Sequence, residues 1–150
     1  MDYLQKSGLT SIVRSRTIRT RPIGPSQRQY ANGAALIETN LEPPALLAQL
    51  KEVEQTFGWR RGQPGSRRVL DLDIILWSRG PHFSSRPALI IPHPEMRNRS
   101  FVLTPAAEIS GNWRDPVTGL TIRQLNARLK RPKKRLGNRS KLLDPKANRH

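Results

Sequence analysis

The sequence predicts an α+β fold arranged as a two-layer sandwich, and three observations predict it. Strand-like runs lie before and after one amphipathic stretch on a chain of 150 residues, so helices and a sheet must share one core. The run Arg67-Arg68-Val69-Leu70-Asp71-Leu72-Asp73-Ile74-Ile75-Leu76-Trp77 has the most apolar centre of any stretch, and its β-branched and bulky residues suit a buried strand. Leu46, Leu47, Leu50, Val53 and Phe57 recur at helical spacing.

Met1 to Gly8 reads as the last turns of a helix stopped by Gly8. Ser11 to Thr20 alternates imperfectly and is rich in β-branched residues, which predicts a strand. Two prolines and a glycine make Arg21 to Ser26 a loop. Tyr30 to Asn40 is the second strand, with Ala35 and Ile37 on one face. Glu42-Pro43-Pro44 opens the helix, since proline fits a first turn, and Gly58 is expected to cap it. Trp59 to Arg68 is a Gly/Pro/Arg loop leading into the aspartate-bearing strand. Ser78 to Pro87 is a polar, hairpin-like excursion, and Ala88 to Ile91 a short strand ending at Pro92-His93-Pro94. A helical turn over Glu95 to Ser100, a short helix over Phe101 to Ile109, a turn at Asp115 to Gly119 and a helix over Thr121 to Leu129 complete the domain, 9–129. The tail, 130–150, has too few apolar residues to fold alone and is expected to be disordered.

Composition narrows the classes. Hydrophobic content is 35% and formal net charge +16. From Lys130 to His150 there are nine Lys/Arg and one Asp, a net of +8 and half of the excess. That balance favours polyanionic partners, among them nucleotides and nucleic acids. There is no Cys, which excludes disulfides and thiolate metal sites. No apolar run approaches the ~20 residues that span a bilayer, and the N-terminus lacks the apolar region of a signal peptide. A soluble, cytoplasmic monomer without a membrane partner is expected.

The chemistry is concentrated in a few places. In a strand Asp71 and Asp73 share a face, roughly 6.6 Å apart, which suits a pair of divalent ions about 3.5–4 Å apart. A bare D-x-D can equally be the polar face of a half-exposed strand. Arg67 and Arg68 beside it, with Arg60 and Arg61 upstream, favour a metal–polyphosphate site. Tyr30 and Asn32 put a flat ring and an amide edge on one strand face, as a planar heterocycle requires; a half-buried Tyr at a strand start is the plainer alternative. His93, rigidly held between prolines, forms a basic cluster with Arg97 and Arg99, against the plainer readings of a turn histidine and a solvated charge run. Phe101 reads as core. Glu54 could meet a ligand or balance Arg60 or Arg61. No Walker loop, nucleophile elbow or zinc pattern is present.

Four landmarks occur in order: Arg21-Pro22-Ile23-Gly24-Pro25; Tyr30-x-Asn32; Arg68-x-x-Asp71-Leu72-Asp73-Ile74-Ile75; and Pro92-His93-Pro94-Glu95-Met96-Arg97-Asn98-Arg99-Ser100-Phe101. Over Leu9 to Leu129 they resemble the 6-hydroxymethyl-7,8-dihydropterin pyrophosphokinases of folate biosynthesis. The resemblance implies a ferredoxin-like fold and transfer of pyrophosphate from ATP to the pterin's hydroxymethyl oxygen, releasing AMP. It implies two Mg²⁺ held by Asp71 and Asp73, which act in catalysis with Arg68. It implies ATP contacts from Glu54, Arg60, Arg61, His93, Arg97 and Arg99, and a pterin pocket lined by Pro22, Ile23, Tyr30, Asn32 and Phe101.

The chain departs from the family pattern twice. Pro64-Gly65-Ser66-Arg67 stands where a Gly-Pro or Gly-Ala pair usually precedes the signature arginine. The family's opening strand, its A-x-G-S-N turn and most of its first helix have no counterpart. The expectation is therefore an N-terminally truncated sandwich, its sheet split or left with an unpaired inner edge. Two other readings share these residues: an inactive fragment of the enzyme, and a nucleic-acid-binding protein acting through the basic tail.

Overall fold

The computed structural model describes residues 9–20, 30–60 and 70–133. The Met1–Gly8 helix end, the Arg21–Ser26 loop with Pro22 and Ile23, the loop residues Arg61 to Arg68, and the tail from residue 134 lie outside the described residues. Within them the chain is mixed α+β.

The first two expected strands pair with each other as one long, interrupted hairpin. β1 (Thr10–Arg14) pairs antiparallel with β4 (Ala35–Glu38), and β2 (Ile18–Thr20) with β3 (Tyr30–Asn32). The single strands expected over 11–20 and 30–40 each break in the middle. Ser15 is the reason: its N–H donates to the Ala34 carbonyl (2.9 Å) and its Oγ accepts from the Ala34 N–H (2.8 Å). The side chain thereby replaces a ladder bond and lets the register slip, as it also does between Ser11 and Val13.

Helix α1 (Pro43–Arg60) starts where the proline pair predicts. Leu46, Leu50 and Val53 are buried with Leu9 in a first core, against which Ile37, Leu41, Leu70, Leu72, Ile74 and Trp77 pack. Gly58 does not end the helix, which runs on to Arg60. Nothing lies within 4 Å of a Cβ placed at Gly58, so its lack of a side chain answers no steric demand and the helix continues through it.

The expected polar excursion after Trp77 is itself half of a hairpin. β5 (His82–Ser85) pairs antiparallel with β6 (Ala88–Ile91). A single 3-10 turn (Met96–Asn98) follows, then α2 (Ser100–Ser110) and α3 (Ile122–Lys130). Met96, Leu103, Ile122 and Leu125 form a second buried core, with Ile75, Leu76 and Trp113 among the residues packed on it. Thr121 begins α3 with a capping box: its side chain accepts from the Gln124 N–H, and Gln124 Oε1 accepts from the Thr121 N–H. Gly111 lets α2 turn toward α3, since a Cβ there would sit 2.8 Å from the Ala107 carbonyl oxygen and from Arg123.

The aspartate-bearing segment, expected as a strand, carries no strand ladder among the described residues, whose strands form three separate two-stranded sheets. Its side chains anchor it instead. Leu70, Leu72, Ile74 and Trp77 enter the first core, while Ile75 and Leu76 enter the second. The segment is thus the seam between the two cores. α2 packs on β2, β3 and β4 on one side and on the 3-10 turn and α3 on the other.

Candidate functional site

The expected alternation holds along the seam. Asp71 and Asp73 are exposed while Leu72 and Ile74 between and beyond them are half-buried, so the two carboxylates share the outward face. Without a ladder, two backbone contacts among the described residues hold this segment. The Leu72 N–H, between the aspartates, donates to Glu54 Oε1 at 2.7 Å. The Ile75 carbonyl accepts from the His93 N–H at 2.9 Å. Glu54, on α1, has a side chain only 9% exposed, and its second oxygen accepts from Lys51 Nζ at 3.3 Å. Its carboxylate supports the seam from behind, a use that spacing along α1 could not disclose.

His93 is therefore joined to the aspartates through the backbone. Its Nδ1 accepts from the Glu95 N–H at 3.1 Å, which assigns the ring proton to Nε2. Nε2–H is then the donor that His93 can offer a ligand. Arg99 lies over the ring of Phe101, 5.7 Å from its centroid, a cation–π geometry that fixes both side chains near the start of α2. Phe101 is half-buried.

Arg97 is engaged differently from its expected partners. Its Nε and Nη2 each donate at 2.6 Å to the carboxylate of Asp115, whose side chain is 0% exposed. The Asp115 carboxylate also accepts from the Val117 N–H (3.1 Å) and Thr118 Oγ1 (2.7 Å). These four donors, the Arg97 fork foremost, lower the Asp115 pKa from 3.8 to about 2 despite burial. The basic cluster read from the sequence is thus divided: His93 and Arg99 are not tied to a carboxylate among the described residues, whereas Arg97 faces Asp115. The sequence marks Asp115 only as a turn residue; its signal for more is an Asp opening a D-P-x-T-G turn near an arginine cluster, because a buried carboxylate requires such a partner. Arg97 and Val117 border an open cleft of about 510 Å³, lined also by Ile90, Ile91, Pro92 and Pro94.

The hairpin residues are oriented as well. Tyr30 is 55% exposed on β3. Asn32 Nδ2 donates to Thr20 Oγ1 at 3.1 Å across the β2–β3 pair. α2, whose second residue is Phe101, packs on this hairpin. Arg60 is the last residue of α1 and its side chain lies outside the described residues, as do Arg61 and Arg68 entirely.

The donor set suits a hard divalent cation. Among the described residues there is no group of three or more His, Cys, Asp or Glu side chains that could hold a metal ion. Mg²⁺ does not require one, because it is commonly bound by one or two carboxylates together with substrate phosphates. Asp71 and Asp73 offer that pair of carboxylates. No helix among the described residues is long and apolar enough to cross a membrane.

A family model described as 7,8-dihydro-6-hydroxymethylpterin-pyrophosphokinase matches residues 1–111. The chain is 45% identical over 107 residues to the 2-amino-4-hydroxy-6-hydroxymethyldihydropteridine pyrophosphokinase of Synechocystis sp., covering 71% of this chain and 54% of that protein. It is 38% identical over 109 residues to the Haemophilus influenzae protein of the same name, covering 72% of this chain and 67% of that one. The Bacillus subtilis protein of that name is 38% identical over 106 residues, covering 70% of this chain and 62% of the relative. The chain therefore spans between about half and two thirds of the length of these relatives.

Proposed function

The chain belongs to the 7,8-dihydro-6-hydroxymethylpterin-pyrophosphokinase family, and from that membership we propose that it transfers pyrophosphate from ATP to 6-hydroxymethyl-7,8-dihydropterin in folate biosynthesis. The alcohol oxygen forms a bond to the β-phosphorus, the bond from that phosphorus to the oxygen of the α-phosphate breaks, AMP leaves, and the alcohol proton passes to solvent. The observation that carries this reading is the exposed pair Asp71 and Asp73 on a segment whose backbone is joined to His93.

Such a transfer needs in-line positioning and charge neutralisation more than covalent chemistry. Asp71 and Asp73 would hold two Mg²⁺, which when bound supply neutralisation of the phosphate charge. His93 Nε2–H and Arg99 would meet the triphosphate, with Arg60, Arg61 and Arg68 approaching from the loop after α1. Tyr30 and Phe101 would stack on the pterin, with Pro22 and Ile23 lining its pocket. Asn32 would read the pterin's edge with Oδ1 and with the amide hydrogen not given to Thr20. Glu54 serves this site by holding the Leu72 N–H.

For the fold we propose a ferredoxin-like two-layer sandwich, supported by α1 and α2 packing beside the long hairpin and the seam. A cytoplasmic location accords with this metabolic role. The test is AMP release from ATP in the presence of Mg²⁺ and the pterin. Asp71→Ala and Asp73→Ala are each expected to lower turnover at least a hundredfold, by analogy with removal of a transition-state electrostatic group. Turnover equal to that of the unaltered chain would sink the assignment.

A further inference from the structure

We propose that Asp115 is a positioning residue of the nucleotide site: by gripping Arg97 it fixes the turn between His93 and Arg99, and so sets where those two groups meet the triphosphate. The proposal rests on the pyrophosphokinase reading above. Asp115 lies beyond residues 1–111, the stretch matched by the family model, so the family assignment does not itself give it a role.

The geometry has three parts. The first is the rigidity of the Asp115 turn. The Asp115 N–H donates to the Leu120 carbonyl at 2.8 Å, and its own carbonyl accepts from the Gly119 N–H at 2.7 Å. Gly119 has φ +72°, a conformation that favours glycine. Trp113 closes the base by accepting from the Ile122 N–H at 2.9 Å. The carboxylate is thus delivered from a closed loop anchored on α2 and α3.

The second part is the fork. Two parallel N–H···O bonds to a planar carboxylate fix the guanidinium in direction as well as distance. Arg97 belongs to the 3-10 turn, whose neighbour Met96 is 0% exposed in the second core. Core packing holds one side of this turn and Asp115 holds the other.

The third part is what the turn carries. The Met96 N–H donates to the His93 carbonyl at 3.1 Å, and the Arg99 N–H to the Met96 carbonyl at 3.4 Å. Rotation of the turn would therefore move His93 and Arg99 together. Arg97 gives two of its five N–H donors to Asp115, including Nε, and its guanidinium is held in that plane, so it acts on the ligand through its neighbours.

The experiment measures equilibrium binding of a non-hydrolysable ATP analogue with Mg²⁺, alongside steady-state kinetics, for Arg97→Ala, Asp115→Ala and the double variant of the full chain. Each single change is expected to weaken nucleotide binding about tenfold, in line with the cost of misplacing a ligating group, with pterin affinity held within about twofold. The double variant should be no weaker than either single one, because both remove the same clasp. Arg97→Lys keeps the charge and loses the fork, and should resemble Arg97→Ala. Thr118→Val, which removes one support of the carboxylate and spares Arg97, should shift binding in the same direction by about threefold and stands in should Asp115→Ala fail to fold. Multiplying losses in the double variant, recovery by Lys, or lowered stability with unchanged nucleotide affinity would each overturn the proposal. A chain that binds nucleotide through the clasp yet releases no AMP would remove the proposed reaction alone; a chain that binds no nucleotide would remove both.

Discussion

Glu54 offers a sharp test of how the aspartate segment is held. Its Oε1 accepts from the Leu72 N–H at 2.7 Å on a side chain 9% exposed. Glu54→Ala would leave that half-buried N–H without its acceptor. The loss of a charge-assisted bond, with the donor stranded, comes to about 1.5–3 kcal/mol. The Lys51 contact adds little, because Lys51 is 47% exposed and such pairs contribute about 0–1 kcal/mol. Glu54→Gln keeps an oxygen of the same reach and should recover more than half of the loss. Urea unfolding measures stability, and Mg²⁺ titration of AMP release measures how well Asp71 and Asp73 are presented. The Ala variant should fall in both, with half-maximal Mg²⁺ raised several-fold, and the Gln variant should stay near the starting chain. If Gln is as damaging as Ala in both assays, the negative charge matters and the acceptor role is refuted. If Ala weakens ATP binding without loss of stability, Glu54 touches the nucleotide directly.

Acid stability reports on Asp115. Its folded pKa lies below its ordinary value, at about 2 against 3.8, so its contribution is fully present above about pH 4 and is lost as pH falls toward 2. The difference corresponds to about 2 kcal/mol, and Asp115→Asn should flatten the urea midpoint against pH over that window; an unchanged acid limb would contradict the fork. Thr121→Ala removes the capping box of α3 and should cost about 1 kcal/mol in thermal unfolding, with no change in nucleotide affinity.

The legible parts of the fold were those written in local pattern. Leu46, Leu50 and Val53 fall at helical spacing and form the first core with Leu9. Asp71 and Asp73 alternate with half-buried Leu72 and Ile74, as a period of two requires. The illegible parts depend on distant partners. Strand continuity failed at Ser15 because its hydroxyl binds Ala34, 19 residues away. Gly58 was misread as a stop because glycine's cap preference matters only where the chain needs a positive φ. Arg97 looked equivalent to Arg99, since nothing in an R-x-R pattern separates them; Asp115, 18 residues on, does so.

These particulars bear on how a site can stand on a backbone without a ladder. A strand inside a sheet is held by evenly repeated backbone bonds, so no single side chain decides its register. The segment from Leu70 to Trp77 is held by apolar residues in two different cores, by a carboxylate from α1, and by one carbonyl bonded to the His93 N–H. The first core and Glu54 both draw on α1, whereas the second core and the His93 contact draw on the chain after β6. A perturbation in α1 therefore acts on the aspartates through Leu72, and one near the 3-10 turn acts through His93 and Ile75. The proposed metal carboxylates and His93 then share a frame, joined among the described residues by the bond from the His93 N–H to the Ile75 carbonyl. That arrangement makes Glu54, bonded to the Leu72 N–H, and Asp115, bonded to Arg97, the residues whose loss should misplace the two halves of the proposed site separately.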